Sequence, residues 1–341
     1  MSNDQNDFRV EPNWSGDPGT RAISNVFGAA FRVDEEWSLK TARGFQWWAH
    51  DLRQAIWADE GFIDQGTEIF RLCAVTDFLN DVRISSKKLN DGLGQINART
   101  SHSSAAVFDP QDRSIRLWTI CYVHAGTENW LRVDFGAWSI LQLIDASELV
   151  DEFADSFQGT PAHSDHPRSG KRGSPDEMLS LKRDLVEPEG KGFNRWFQPS
   201  ELMKVMEMLK ENEWEVTHQP LGFSAALPFN ESGFMILSIA CCTHGQLDQG
   251  CLIDLRLPVR IPVDSAMESV ADLNLKETKT CSHSHLAGSW MGWPHDDGDG
   301  AGVSFIQFMP NILFQEGKLL NLAWSMAAKA QWARQFFRRH E

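Results

Sequence analysis

The second half of the chain switches regularly between helical spacing and strand-like alternation. A first helix is marked by Pro199-Ser200-Glu201 and by one apolar stripe, formed by Leu202, Val205, Met206 and Leu209. Four strands, a helix, two strands and a closing helix are predicted after it, at residues 214–219, 223–227, 234–243, 251–257, 265–275, 289–295, 303–309 and 315–337. The pattern therefore predicts the order α-β-β-β-β-α-β-β-α for this half.

The first half has a less regular pattern. Two strands, a helix, a hairpin, a third strand and a second helix are predicted in turn, at residues 47–57, 68–75, 78–96, 105–123, 130–135 and 140–157. Residues 1–44 are mostly polar and predict a poorly ordered N-terminal segment. Residues 158–194 are rich in Gly, Pro and mixed charges, which is typical of a flexible linker. Two domains are therefore expected, at residues 45–157 and 195–341.

Residues 104–135 and 224–255 match each other without a gap. Ser104-Ala105-Ala106 corresponds to Ser224-Ala225-Ala226, and Cys121 and His124 correspond to Cys241 and His244. This match predicts two copies of one domain, in which the strand order of one copy is permuted relative to the other. Because each copy combines an antiparallel sheet with flanking helices, the predicted fold class is α+β with two tandem domains.

This order of elements resembles the type III secretion chaperones of the Tir-chaperone (CesT-like) group and the YbjN-like proteins. The segments that carry the resemblance are residues 202–209, 234–257, 265–275 and 305–310 with the closing helix, and residues 78–82 and 104–135 in the first half. The resemblance implies a protein that binds peptides or proteins and is not an enzyme. Those chaperones are small single-domain dimers, so the second copy here could replace a partner subunit.

The charge balance limits the partners of the chain. Its 341 residues include 32 basic and 47 acidic residues, which gives a formal net charge of −15. Such a surface argues against binding to nucleic acids and to anionic membranes. No run approaches the length of a membrane span, and Met1–Asp7 lacks a signal-peptide pattern. Because its six cysteines fall mostly in apolar, strand-like runs, the expected location is the cytoplasm.

The closing helix carries the candidate interaction surface. Its apolar face is expected to pack on the sheet and is formed by Leu319, Ala323, Met326, Ala327, Ala330, Ala333 and Phe337. Trp324 and Trp332, with Ala328 between them, lie off this face and predict a second partner, which is the other half of the chain, a second subunit or a client peptide. The alternative is ordinary burial under a loop. Trp47 and Trp48 are the other candidates for the protein-binding surface.

Candidate chemistry is sparse. Cys241 and His244 are three positions apart on a strand, so their side chains point to opposite faces and do not suit zinc. A denser set of metal-ligand types comprises His283, His285, His295, Asp296, Asp297 and Asp299. We interpret it as a polar loop and hairpin turn. No catalytic, cofactor-binding or metal-ligating residue is predicted, and the alternatives are a metal-dependent hydrolase that uses residues 283–299 or a purely structural homo-oligomer.

Overall fold

The computed structural model describes residues 14–180, 193–229, 233–280, 284–294 and 300–337. The helices within these ranges are α1 (Pro18–Asn25), α2 (Ser86–Arg99), α3 (Glu128–Ser156), α4 (Pro199–Glu211), α5 (Val263–Lys279) and α6 (Lys318–Phe337). The strands are β1 (Ser38–Thr41), β2 (Gly44–Trp48), β3 (Arg53–Ala58), β4 (Phe62–Asp64), β5 (Thr67–Asn80), β6 (Ala105–Asp109), β7 (Ser114–Val123), β8 (Thr160–Pro161), β9 (Glu215–Gln219), β10 (Gly222–Pro228), β11 (Phe234–His244), β12 (Asp248–Ile261), β13 (Ser289–Pro294) and β14 (Ala301–Pro310).

The chain divides into two compact units that do not coincide with its two halves. Unit 1 contains the described residues up to Ile84 and those from Ala106 to 180, and unit 2 contains Ser85–Ala105 and the described residues from 193 onward. Helix α2 therefore belongs to unit 2, where it packs on α5 and β13. The predicted domain boundaries instead placed this helix in the first domain, at residues 45–157.

Each unit is built on one antiparallel sheet, which confirms the predicted α+β class. The main path of the unit 1 sheet is β1-β2-β3-β5-β7-β6, with β4 and β8 paired to β5. The unit 2 sheet follows β9-β10-β11-β12-β14-β13. In both cases the chain forms a four-strand meander, then a helix and then a hairpin, and the second hairpin strand pairs with the last meander strand. In the first case the helix is α2, which belongs to unit 2. The two sheets therefore share one strand order without permutation.

The shared topology overturns the register of the predicted repeat. The hairpin β6–β7 corresponds in the fold to β13–β14, whereas the sequence match paired it with β10 and β11. The match also paired residues 130–135 with β12, but those residues form the first turns of α3. Leu131, Phe135 and Trp138 are buried at helical spacing, so the 3.6-residue period applies here although the short segment also fits a strand.

Two other boundaries in the first half were wrong. The segment predicted as one strand at residues 47–57 is the hairpin of β2 and β3. The helix predicted to start at Phe78 begins at Ser86, because β5 continues to Asn80. Phe78 and Leu79 are both fully buried there, so their apolar character does not identify a helix.

The described part of the N-terminal segment is ordered, contrary to prediction. Asp17 caps α1 by accepting a hydrogen bond from the Thr20 amide at 2.8 Å, while the Thr20 hydroxyl accepts from the Asp17 amide at 3.1 Å. Phe27 packs edge-on against Phe45 of β2 with ring centroids 5.0 Å apart. Residues 14–37 thus contribute to the core of unit 1, and β1 follows directly at Ser38.

Residues 158–180 of the predicted linker are also packed against unit 1. Strand β8 pairs with the end of β5, and the Ala162 amide donates to the Phe78 carbonyl at 2.9 Å. The Trp48 indole donates to the Ser164 hydroxyl at 3.0 Å. Backbone pairing satisfies main-chain groups that a free linker would leave to water. Residues 181–192 lie outside the described ranges.

The core of unit 1 contains a closed polar network around Gln142 of α3. Its amide donates to the Ala74 carbonyl at 3.1 Å and to the Thr119 hydroxyl at 3.0 Å, and its oxygen accepts from Gln54 and Thr76 at 3.1 and 2.9 Å. All four side chains are fully buried. Hydrogen bonds among them replace those lost to water, which ties α3 to three neighbouring strands.

The core of unit 2 contains an ion pair under α6. Lys329 Nζ lies 2.7 Å from both carboxylate oxygens of Glu277 on α5, and both side chains are 0% exposed. Trp290 Nε1 donates to Glu277 at 2.8 Å, and the ammonium lies 4.0 Å from the ring centre of Phe305. Burial raises the pKa of Glu277 and lowers that of Lys329, while their mutual attraction opposes both shifts.

Candidate functional site

Helix α6 has the two faces that its sequence predicts. Leu319, Ala323 and Met326 are buried with the rest of the predicted inner stripe, and only Phe337 is half-buried. On the outer side, Ala328 and Trp332 are half-buried and Trp324 is 38% exposed. The indole of Trp324 makes an edge contact with Trp214, with centroids 5.0 Å apart. The two tryptophans form an aromatic pair at the surface of unit 2.

Trp47 and Trp48 are core residues of unit 1, so the prediction that they form a binding surface was wrong. Trp47 is fully buried and its indole donates to Gln54 at 2.9 Å. Trp48 is 3% exposed and packs edge-on against His166, with centroids 4.9 Å apart. Both indole N–H groups donate hydrogen bonds within unit 1, as buried tryptophans usually do.

A groove lies between α4 and α6. It has a volume of about 540 Å³, and its apolar lining comes from Val205 and Met208 of α4 and Leu320 of α6. Leu320 lies one helical turn before Trp324, so the groove and the aromatic pair occupy the same side of α6. Its polar lining residues are Gln198, Ser200, Glu201, Lys204, Glu316 and Gly317.

Glu201 is placed in the groove by the start of α4. Pro199 opens the helix, so Glu201 falls in its first turn, where a carboxylate is favoured by the unpaired amides. One oxygen, Oε1, accepts a hydrogen bond from the Gly317 amide at 2.9 Å and so also supports the start of α6. The other oxygen, Oε2, is buried and has no hydrogen-bond partner among the described residues.

The pKa of Glu201 lies above its ordinary value. Burial is the largest cause, and the nearby Glu316 carboxylate adds to it. The Gly317 amide that is bonded to Oε1, the nearby Leu319 amide and the positive charge of Lys204 act in the opposite direction. The side chain is only 7% exposed, so an unpaired carboxylate oxygen here costs free energy that a hydrogen-bond donor would recover.

A second groove of about 610 Å³ lies at the other end of α6. It is bounded by Phe229, the end of β12, one side of α5 and the Phe336–Phe337 pair. Its acidic residues are Glu268 and Asp272 of α5. Within the described ranges, no residue that lines this second groove has a buried side-chain N or O atom without a hydrogen-bond partner. Of the two grooves, only the α4–α6 groove is lined by a described residue with an unpartnered buried atom.

The cysteines and histidines of β11 and β12 are arranged as strand alternation predicts. Cys241 is buried on the core face, whereas His244 lies on the opposite face against Phe308, with ring centroids 4.7 Å apart. Cys241 is directly opposite Cys251, and its amide donates to Leu221 on the other side of the strand at 2.8 Å. The two cysteines therefore form a non-hydrogen-bonded pair, the closer kind of antiparallel neighbours.

Of the candidate metal ligands in residues 283–299, only His285 is described, and the others lie outside the described residues. Burial lowers the pKa of His285 to about 4, and the positive charges of Lys329 and Lys318 contribute to the shift. Two neighbouring ammonium groups also oppose a cation. Across the described ranges, no three His, Cys, Asp or Glu side chains converge in a way that could hold a metal ion.

Comparisons with protein-family models, curated proteins and solved structures found no match to this chain. None of its described helices combines the length and the apolar character that a membrane span requires. The class defined by the geometry is a two-unit α+β protein with a helix-lined groove in unit 2.

Sequence reasoning identified Trp324 but not the groove beside it. Leu320, Trp324, Ala328 and Trp332 recur at intervals of four, and this spacing could have revealed a continuous outer stripe. The sequence did not indicate that Glu201 lines a groove; it indicated only that the residue lies near the start of a helix. Its free oxygen becomes apparent only when the first turns of α4 and α6 are placed side by side.

Proposed function

We propose that this protein binds a segment of a partner protein in the α4–α6 groove and does not catalyse a reaction on it. The observation that carries the proposal is the position of Leu320, which lines the groove and lies one helical turn before Trp324 of the Trp214–Trp324 pair. Aromatic side chains beside an apolar cleft supply large contact area at little conformational cost, and such anchors dominate most protein interfaces.

Further support comes from the other exposed side chains of α4. Met203 is 58% exposed and Met208 is 36% exposed, and both lie on the outer side of the helix. Flexible thioethers at a surface adapt to differently shaped apolar partners. The resemblance of the sequence pattern to secretion chaperones and YbjN-like proteins is the further ground on which we infer a chaperone-like role.

The proposal is tested with a defined set of peptides and the full-length protein. Fluorescein-labelled 15-residue peptides with Leu and Phe at helical spacing are titrated and followed by fluorescence anisotropy. Trp324→Ala removes the aromatic anchor and is expected to weaken binding about tenfold or more, the size typical of an interface hot spot. The melting temperature should change little because Trp324 lies on the outer side of α6 and is not part of the buried stripe.

Phe234→Ala is the matched control. Phe234 is also in unit 2 and is 55% exposed, but it is not among the residues that line the groove. Equal loss of affinity in both variants would show non-specific adhesion and contradict the proposal. Failure of every peptide to bind, together with self-association of the wild-type protein that Trp324→Ala abolishes, would instead assign the surface to a second copy of the chain.

A further inference from the structure

We infer that the α4–α6 groove selects a partner segment with a basic side chain, Lys or Arg, next to its apolar residues, and that Glu201 Oε2 receives the cationic group. This inference rests on the proposed function and specifies the chemistry of its ligand. The chief observation is a carboxylate that lines the groove, is more than nine-tenths buried and leaves one oxygen unpaired.

Charge around the groove favours the same ligand. Glu316 lies close enough to Glu201 to raise the pKa of its carboxyl, so two acidic groups share this end of the groove. Lys204 is the basic residue among those that line it, and it forms no hydrogen bond with the free oxygen. The whole chain carries a net charge of −15, which attracts a basic segment during the approach.

The hydrogen-bond geometry also predicts how the cation is recognised. Because Oε1 is already held by the Gly317 amide, the carboxylate cannot offer both oxygens freely to the fork of an arginine side chain. We therefore expect similar affinities for Lys and Arg, in contrast to bidentate sites, where Arg is strongly preferred.

The test compares a labelled peptide that carries Leu and Phe around one central Lys with peptides that carry Arg, norleucine or Glu at that position. Norleucine keeps the aliphatic length and removes the ammonium. Wild-type protein should bind the Lys and Arg peptides about equally and the norleucine peptide roughly tenfold more weakly, the size expected for a hydrogen bond to a charged group. The Glu peptide should bind more weakly still.

Glu201→Gln is the decisive variant. A glutamine oxygen can still accept from the Gly317 amide, so the start of α6 is preserved while the negative charge is lost. This variant should bind the Lys and norleucine peptides with nearly equal affinity. Glu268→Gln on α5, which removes an acidic group from the second groove, should keep the full tenfold preference and so controls for the overall charge.

The outcomes separate the two proposals. If the peptides bind, Trp324→Ala weakens them, and Lys and norleucine peptides are equivalent on wild-type protein, the groove is a binding site but the basic specificity is refuted. A preference for Lys that survives Glu201→Gln also refutes it. If no peptide binds to wild-type protein, the proposed function itself fails.

Discussion

Replacing Lys329 by Met should destabilise the protein in a strongly pH-dependent way. The substitution keeps the aliphatic packing over Phe305 but leaves the fully buried carboxyl of Glu277 without its counter-ion. Without the ammonium, burial raises the pKa of Glu277 further, so the folded state keeps a proton that the unfolded state releases above about pH 4.3. A raised folded-state pKa gives stability that is present at low pH and is lost as the pH rises.

The loss of free energy of unfolding follows from the proton that the folded variant retains on Glu277. Each pH unit above the unfolded pKa costs about 1.4 kcal/mol, so the loss is about 1 kcal/mol at pH 5 and up to about 3.7 kcal/mol at pH 7. The value at pH 7 agrees with the roughly 3–5 kcal/mol measured when one member of a buried ion pair is removed.

The assay is urea denaturation of the full-length protein at pH 5 and pH 7, followed by circular dichroism, with hydrogen exchange on peptides from α6. The double variant Lys329→Met with Glu277→Gln removes both charges. It should recover most of the lost stability at pH 7 and lose its dependence on pH, since no group titrates in the core. An equal loss for the single variant at both pH values would refute the reasoning, because it would mean that Glu277 stays ionised and reaches water.

Three further predictions concern other parts of the fold. Gln142→Leu leaves the hydrogen-bonding groups around it unpaired in the core of unit 1 and should lower the free energy of unfolding by about 2–4 kcal/mol, measured by urea denaturation. Leu93→Ala on α2 should cost about 2–5 kcal/mol and increase hydrogen exchange in α5 and β13 while β2 and β3 stay protected, although α2 lies in the first half of the chain. Treatment with diamide, which accepts the two electrons and protons, should join Cys241 to Cys251 and leave Cys73 reduced, as peptide mapping by mass spectrometry can check. A disulfide from Cys241 to any other cysteine would contradict the facing arrangement.

The second half of the chain could be predicted well because its local signals agree with its tertiary structure. Helix α4 has an N-terminal proline and one apolar stripe, and β10 to β12 alternate between a buried and a more exposed face. When one face of an element is buried and the other is solvated, the period of its apolar residues identifies the element.

The first half was predicted less well because both faces of its elements are buried. Strand β5 is buried on both sides over much of its length, and α3 has buried residues all around its middle turns. Such segments carry continuous apolar runs without a distinct period, so a helix and a strand look alike. The same ambiguity made residues 130–135 resemble β12 and placed the repeat in the wrong register.

For this protein, the sequence by itself determined the α+β class, the element order of the second half and the outward position of Trp324, since these depend on local period and helical geometry. Only the tertiary structure decided that α2 belongs to unit 2, that Trp47 and Trp48 are core residues, and that Glu201 lines a groove and has a buried carboxylate oxygen without a partner. Each of these facts depends on contacts between residues far apart in the chain. Those contacts determine whether an indole or a carboxylate is exposed to solvent, buried in the core or placed at an interface. The local sequence pattern contains no information about them.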